Sequence, residues 1–330
     1  MRRRLVVLVA GLALAAPGTA GAHLRTSRAA VDYRATVSQL GPPLAGAVSV
    51  RVYRADLALG LTALGGHRVV VLGYLGEPFL RLEPGGVSVN AASPTAAGAR
   101  LTPPHRGSGR PIWRLRSHRP GVIWHDARVR GVPSGATARR WAIPLLVDGR
   151  RTRLEGTIQR VGAPSAWPWL ALGALFAGVT GVLLAFRPQQ LLRTASAALG
   201  AVAALATLAS AIGFAVASTA SQGTWIEGAN EAVFALVGAA FIVRGSRDAK
   251  AFVGGLLGLL GLAAGLTKLP VLLHGIVLSA LPGELARLAV ALAIAAGAAA
   301  AILGVVVFFD VLEHYEEPEL LQRHLSGPEG

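Results

Sequence analysis

Cysteine is absent, methionine occurs once, and Lys250 and Lys268 are the only lysines among 32 basic residues. Lack of cysteine excludes a disulfide-stapled scaffold and a lipid-modified amino-terminal cysteine. It also restricts any metal site to imidazole, carboxylate and amine donors. Charged side chains make up only 15% of the 330 residues, against 53% hydrophobic ones and a mean hydropathy of +0.53. That balance excludes a purely soluble globular chain and a disordered one. Nucleotide and hydrolase signatures are missing too: there is no GxSxG, P-loop, SxxK, or GxGxxG at a strand–helix junction. With no spacing that points to a triad, the expectation is a protein that is not an enzyme.

What is present divides by compartment. Residues 1–22 carry three arginines and no acid, residues 23–166 carry 21 arginines and seven acids, and residues 167–330 carry eight bases and ten acids. Arg2, Arg3 and Arg4, the apolar run from Leu5 to Ala16, and Ala20-Gly21-Ala22 have the order of a cleaved secretory signal peptide. The run is too short for a spanning helix, which needs roughly 20 residues. Cleavage after Ala22 makes His23 the first residue.

Residues 23–166 read as an extracytoplasmic β-sandwich of immunoglobulin-like or jelly-roll type. Short apolar runs at Tyr33–Val37, Val48–Tyr53, Arg68–Leu72, Phe79–Leu82, Ile112–Leu115, Val122–Trp124, Arg140–Val147 and Arg153–Val161 are separated by turn residues. Asp148-Gly149 marks a hairpin. The stretch from Ala91 to Gly109, rich in Ser, Pro, Ala and Gly, is expected to be the longest loop.

Residues 167–309 read as a bundle of about five transmembrane helices, at 167–186, 194–216, 229–243, 251–266 and 285–309, the third being short unless it begins near Trp225. Leu269 to Leu281, broken by Pro270 and Pro282, is a re-entrant or interfacial segment, or a sixth span. Trp167 and Trp169 form an interfacial anchor. Arg187, Arg193, Arg244, Arg247 and Lys250 fall on the side opposite the β-domain, as the positive-inside rule requires. The protein is therefore expected to be a multi-pass plasma-membrane protein whose acidic tail, 310–330, is cytoplasmic. Gly254 with Gly258, and Gly261 with Gly265, give small-xxx-small helix contacts. Glu227, Glu231, Lys268, Glu284 and Arg287 sit near predicted outer ends, which argues against an ion-coupled pump.

Two chemistries compete. His23 offers both an amine and a ring nitrogen, a chelate suited to Cu(II). Trp124-His125-Asp126 supplies a second imidazole and a carboxylate, His118 lies seven residues earlier, and His274 extends a path towards the membrane half. His67 and His105 complete the histidines of the β-domain. Against copper stands the reading in which these are surface or structural histidines and the arginines act: Arg110 to Arg119, Arg139-Arg140, Arg150-Arg151 and Arg153 would contact anionic lipid, a cell-wall polymer or a partner protein. That alternative is an envelope scaffold, adhesion or sensor module. Nucleic acid is excluded by the expected compartment and by the lack of a recognition helix.

Three stretches carry a resemblance: Val69 to Arg81 (VVVLGYLGEPFLR), Val89-Asn90 with Ser93-Pro94, and Trp124-His125-Asp126-Ala127-Arg128. Together they are similar to a family of uncharacterised membrane proteins from actinobacteria and related high-GC bacteria. The resemblance implies a signal peptide, an extracytoplasmic β-domain and a carboxy-terminal helical bundle. The family motif usually reads WHDHR; here Ala127 replaces the second histidine, which favours a structural role for Trp124, His125 and Asp126. More distantly, the chain resembles copper-binding proteins of the CopC type joined to a CopD membrane part, a likeness that implies copper carried by an amino-terminal histidine.

Overall fold

The computed structural model describes residues 29–53, 55, 58–98, 110–217 and 222–325. The expected signal peptide, His23 and His105 lie outside these residues. The chain divides into two compact units, a β unit of Val31–Ala163 with His274–Leu278, and a helical unit that includes Pro164–Leu273 and Ser279–Gly330.

The β unit contains β1 (Ala30–Val31), β2 (Tyr33–Val37), β3 (Val48–Tyr53), β4 (Ala58–Ala63), β5 (Val69–Leu72), β6 (Pro78–Glu83), β7 (Gly86–Asn90), the short helix α1 (Pro94–Gly98), β8 (Trp113–Ser117), β9 (Gly121–Trp124), β10 (Ala138–Val147) and β11 (Arg150–Arg160). Seven strands form one sheet in the order β2-β11-β10-β5-β6-β7-β8, and three form another in the order β3-β4-β9. Alternation buries one face of each long strand. On β10, Trp141, Ile143, Leu145 and Val147 are buried, while Arg140 and Ala142 are exposed. Side chains from both sheets fill one core, with Phe79 meeting Trp124 edge-on at 6.5 Å between ring centroids.

The hairpin expected at Asp148-Gly149 is present. Both residues have positive φ (49° and 82°), and Val147 pairs with Arg150, the geometry of a tight hairpin turn. Gly156 is required where it stands, because a Cβ there would run into the Trp141 ring and the carbonyl of Thr36.

Two main-sheet or small-sheet strands escaped the sequence reading. In β4 (ALGLTA), five of six residues are buried, so period-two alternation is erased. β7 follows Glu83 after only the two residues Pro84 and Gly85, and so merges with β6 as a single apolar stretch. The expected loop from Ala91 contains α1, and its later part, 99–109, lies outside the described residues.

The helical unit contains α2 (Trp167–Phe186), α3 (Gln189–Ala217), α4 (Gln222–Arg244), α5 (Arg247–Thr267), the one-turn α6 (Pro270–Leu273) and α7 (Gly283–Leu325). Among the described residues, four helices are long and apolar enough to cross a membrane: α2, α3, α5 and the part of α7 over Gly283–Leu312. α4 begins at Gln222 rather than at 229, so Glu231 stands nine residues inside it instead of near its end. α7 continues beyond Phe309 into the expected tail, where glutamate and leucine favour helix. The segment Leu269 to Leu281 holds α6 and a two-residue strand, β12 (Ile276–Val277), which pairs with β1.

Glycine lets α3, α5 and α7 approach backbone to backbone. A Cβ on Gly200 would meet the Gly254 Cα at 2.5 Å, one on Gly258 the Gly297 carbonyl at 2.6 Å, and one on Gly255 the Gly304 Cα at 2.9 Å. Ser196, fully buried between them, donates its hydroxyl to the carbonyls of Ala251 (2.8 Å) and Ala300 (3.4 Å).

Candidate functional site

The motif stretches converge at one polar knot in the β unit. Asp126 is 2% exposed, and its two oxygens accept from Trp124 Nε1 (3.1 Å), Arg128 N (2.9 Å), Arg128 Nε (3.0 Å) and Arg128 Nη2 (2.8 Å). Arg128 also donates to the Leu72 carbonyl at 3.1 Å and lies 4.8 Å from the centre of the Tyr74 ring. Tyr74 Oη accepts from the Ala127 amide at 2.8 Å and donates to Asp126 at 3.4 Å. Burial works to raise the Asp126 carboxyl, but the hydrogen bonds and charge of Arg128 and the Trp124 bond outweigh it and hold the group below the ordinary carboxylate range. Burial and the neighbouring Asp126 charge push the Tyr74 phenol up.

Glu77 anchors the other half of the knot. It accepts from Ser93 Oγ (2.7 Å), Thr95 Oγ1 (2.7 Å), the Thr95 amide (3.2 Å) and the Leu75 amide (3.0 Å). Thr95 Oγ1 in turn accepts from the Tyr74 amide at 2.8 Å, joining the two halves. Burial would raise Glu77 too, yet the Thr95 and Ser93 bonds keep it low. Asn90 closes the neighbouring turn, donating to the Pro78 carbonyl (2.7 Å) and accepting from the amides of Ala92 (3.0 Å) and Ile112 (2.8 Å). Polar groups satisfied this fully tie the loops to the ends of β5, β6 and β7, inside the sheet. Gly73 is forced by the same packing, since a Cβ would strike Glu77 and Thr95.

The histidines are distributed differently. His125 is exposed at the rim of the knot and His118 is exposed after β8. His67 Nδ1 pairs with Asp148 Oδ2 at 2.6 Å, and that hydrogen bond, with one from the Arg68 amide, lowers the Asp148 carboxyl. His274 Nδ1 pairs with Asp32 Oδ2 at 2.7 Å. Among the described residues no three His, Asp or Glu side chains gather as a metal-holding group. An open cleft of about 440 Å³ is lined by Arg130, Gly131, Val132, Pro133 and Arg139. The Arg139 guanidinium is spent there on the carbonyls of Arg128, Arg130 and Gly131, at 3.0–3.2 Å.

The other concentration of chemistry is the outer face of the seven-stranded sheet. Cross-strand pairing places Arg34 opposite Gln159, Arg140 opposite Thr157, Arg153 opposite Pro144 and Arg151 opposite Leu146. Thr36 and Thr157, hydroxyls 2.9 Å apart, mark this as one continuous face. All four arginines are exposed, and none has an ion-pair partner among the described residues. Arg68 and Arg81, in contrast, both lean on Glu83, at 2.9 and 3.0 Å. Sequence reading found Arg140, Arg151 and Arg153 but not Arg34, because only the pairing of β2 with β11 brings it to the same surface.

The architecture defines a class: a β-sheet-rich unit followed by a helical region with, among the described residues, four helices long and apolar enough to cross a membrane. No family model, curated protein or solved structure matches the chain.

Proposed function

We propose that the chain is a multi-pass membrane protein that holds an immunoglobulin-like β-sandwich outside the cell, where it serves as a non-enzymatic envelope module binding a polyanion. The carrying observation is the set Arg34, Arg140, Arg151 and Arg153, exposed on one sheet face with Glu155 as the acid paired into the same rows. A flat array of guanidinium groups recognises phosphate or carboxylate by paired hydrogen bonds and raises the local concentration of anions. Asp126, the acid of the expected copper set, has its oxygens filled by Trp124 and Arg128, which turns the reading from copper towards the arginines. Copper handling then rests on the amino terminus of His23 together with His125.

Orientation and helix count belong to the same proposal. His274–Leu278 is part of the β unit. That membership supports an even number of crossings between Ala163 and His274, and on this reading α4 crosses along with α2, α3 and α5 and brings the total with α7 to five. The Glu231 carboxylate, 2.6 Å from Lys268 Nζ, is neutralised within the helical unit, which lowers the cost of carrying it into the bilayer.

The test uses the full chain in neutral detergent on immobilised polyphosphate. Retention should fall steeply with salt, and replacing Arg34, Arg140, Arg151 and Arg153 by Gln should abolish it with no change in melting temperature. Salt-independent retention, or retention unchanged in the variant, overturns the proposal.

A further inference from the structure

We infer that the polyanion met by the arginine face is a bilayer surface carrying anionic phospholipid headgroups; this rests on the polyanion reading above and narrows it. The observation is that the face is not uniformly polar. Cross-strand register runs Arg151, Leu146, Val70, Arg81, Ser88 and Leu115 in a single row over five strands and the edge. Leu115 is 55% exposed, and Leu146 and Val70 are partly exposed. At the same end Arg81 stacks on Trp113, 4.7 Å from the ring centre.

Guanidinium groups flanking a stripe of leucine, valine and tryptophan suit the boundary between headgroups and acyl chains. The cations take the phosphates, the tryptophan takes the interfacial level, and the apolar side chains enter the chains' edge. A soluble phosphodiester polymer would use the arginines and leave the apolar row in water. Each basic residue near such a surface contributes about fivefold in binding. Four of them make attachment strong in dilute salt and weak once the screening length falls below their spacing from the phosphates.

The experiment places the full chain in nanodiscs of neutral phosphatidylcholine and adds separate vesicles, either phosphatidylcholine alone or phosphatidylcholine with phosphatidylglycerol, followed by flotation. Polyphosphate resin is run in parallel. The expected result is capture by the phosphatidylglycerol vesicles alone, reduced at least tenfold by the four Arg→Gln changes. Leu115→Ser with Leu146→Ser should reduce it several-fold, yet leave polyphosphate retention as it was. Melting temperatures equal to that of the unchanged protein show that the variants fold. Polyphosphate retention without vesicle capture, or vesicle capture indifferent to the two leucines, overturns the lipid inference and keeps the polyanion reading. Failure on both supports overturns the two together.

Discussion

His274 Nδ1 lies 2.7 Å from Asp32 Oδ2 although 242 positions separate them in the chain. The Gly275 amide donates to the other oxygen of the same carboxylate at 3.1 Å, and Ile276 and Leu278 pack against Val31 and Ala55. A Cβ on Gly275 would meet the Gly162 carbonyl at 2.6 Å, so glycine permits the close approach. One carboxylate thus fastens a segment drawn from between α5 and α7 into the β unit.

This clasp should open in acid. Burial tends to raise Asp32, but the His274 and Gly275 bonds and the charges of His274 and Arg160 together hold it below its ordinary value. A lowered folded-state value means the contribution is complete above the unfolded carboxylate range and is lost as pH falls through the depressed value. The His274 and Asp32 side chains are 40% and 34% exposed, so solvent limits the worth of the pair to about 1 kcal/mol, roughly fivefold in local opening. Amide exchange at Gly275–Leu278, corrected for intrinsic rates, should accelerate about fivefold in Asp32→Asn at neutral pH. The unchanged protein should reach similar exchange only in acid. Equal exchange in the two at neutral pH would show that the carboxylate does not hold the segment.

Asp126→Asn should cost about 3 kcal/mol, because it leaves Arg128 without its carboxylate in a site where Asp126 is sealed from solvent. The folded-state value of Asp126 is lowered, so its stabilisation too is present above the ordinary carboxylate range and disappears as pH falls. Thermal unfolding of the two proteins should therefore converge in acid. A Cu(II) titration of a chain beginning at His23 separates structure from ligation: chelation should depend on a free amino terminus and be indifferent to Asp126→Asn. A tenfold drop in copper affinity without a drop in melting temperature would make Asp126 a ligand.

Strands such as Tyr33–Val37 and Val48–Tyr53 were legible because one face is buried and the pattern alternates. β4 was not, since burial on both faces removes the alternation. α2 was legible to the residue because a tryptophan-proline start and Arg187 bracket an unbroken apolar run. α4 was read short because Glu227 and Glu231 interrupt hydropathy, and the compensating Lys268 lies 37 positions away. Spacing alone sets Asp126 beside His125 but cannot reveal that Trp124 and Arg128, each two residues off, both turn back onto its oxygens.

Packing in the helical unit should be intolerant of size at particular glycines and indifferent at others. Gly258→Leu drives a side chain into the α7 backbone near Gly297 and Ala301, whereas nothing lies within 4 Å of a Cβ on Gly173. Unfolding in detergent should show a loss above about 3 kcal/mol for Gly258→Leu and a change within about 0.5 kcal/mol for Gly173→Leu. Similar losses at both positions would mean that α2 also packs through its glycines.

The absence of cysteine makes the chain its own background for labelling topology. Ser134, Gln190 and Ala280 are exposed, in a loop of the β unit, at the start of α3, and before α7 respectively. A membrane-impermeant maleimide on intact cells should label Ser134→Cys and Ala280→Cys, and should reach Gln190→Cys only after permeabilisation. Ala280 is the decisive position. With α2, α3 and α5 crossing and α4 lying aside, it would fall on the same side as Gln190, and Asp32 could not reach His274 without passing through the bilayer. Labelling of Ala280→Cys together with Ser134→Cys therefore requires α4 to cross despite Glu231. Labelling together with Gln190→Cys would remove the fifth span and, with it, the clasp of Asp32 on His274 and Gly275.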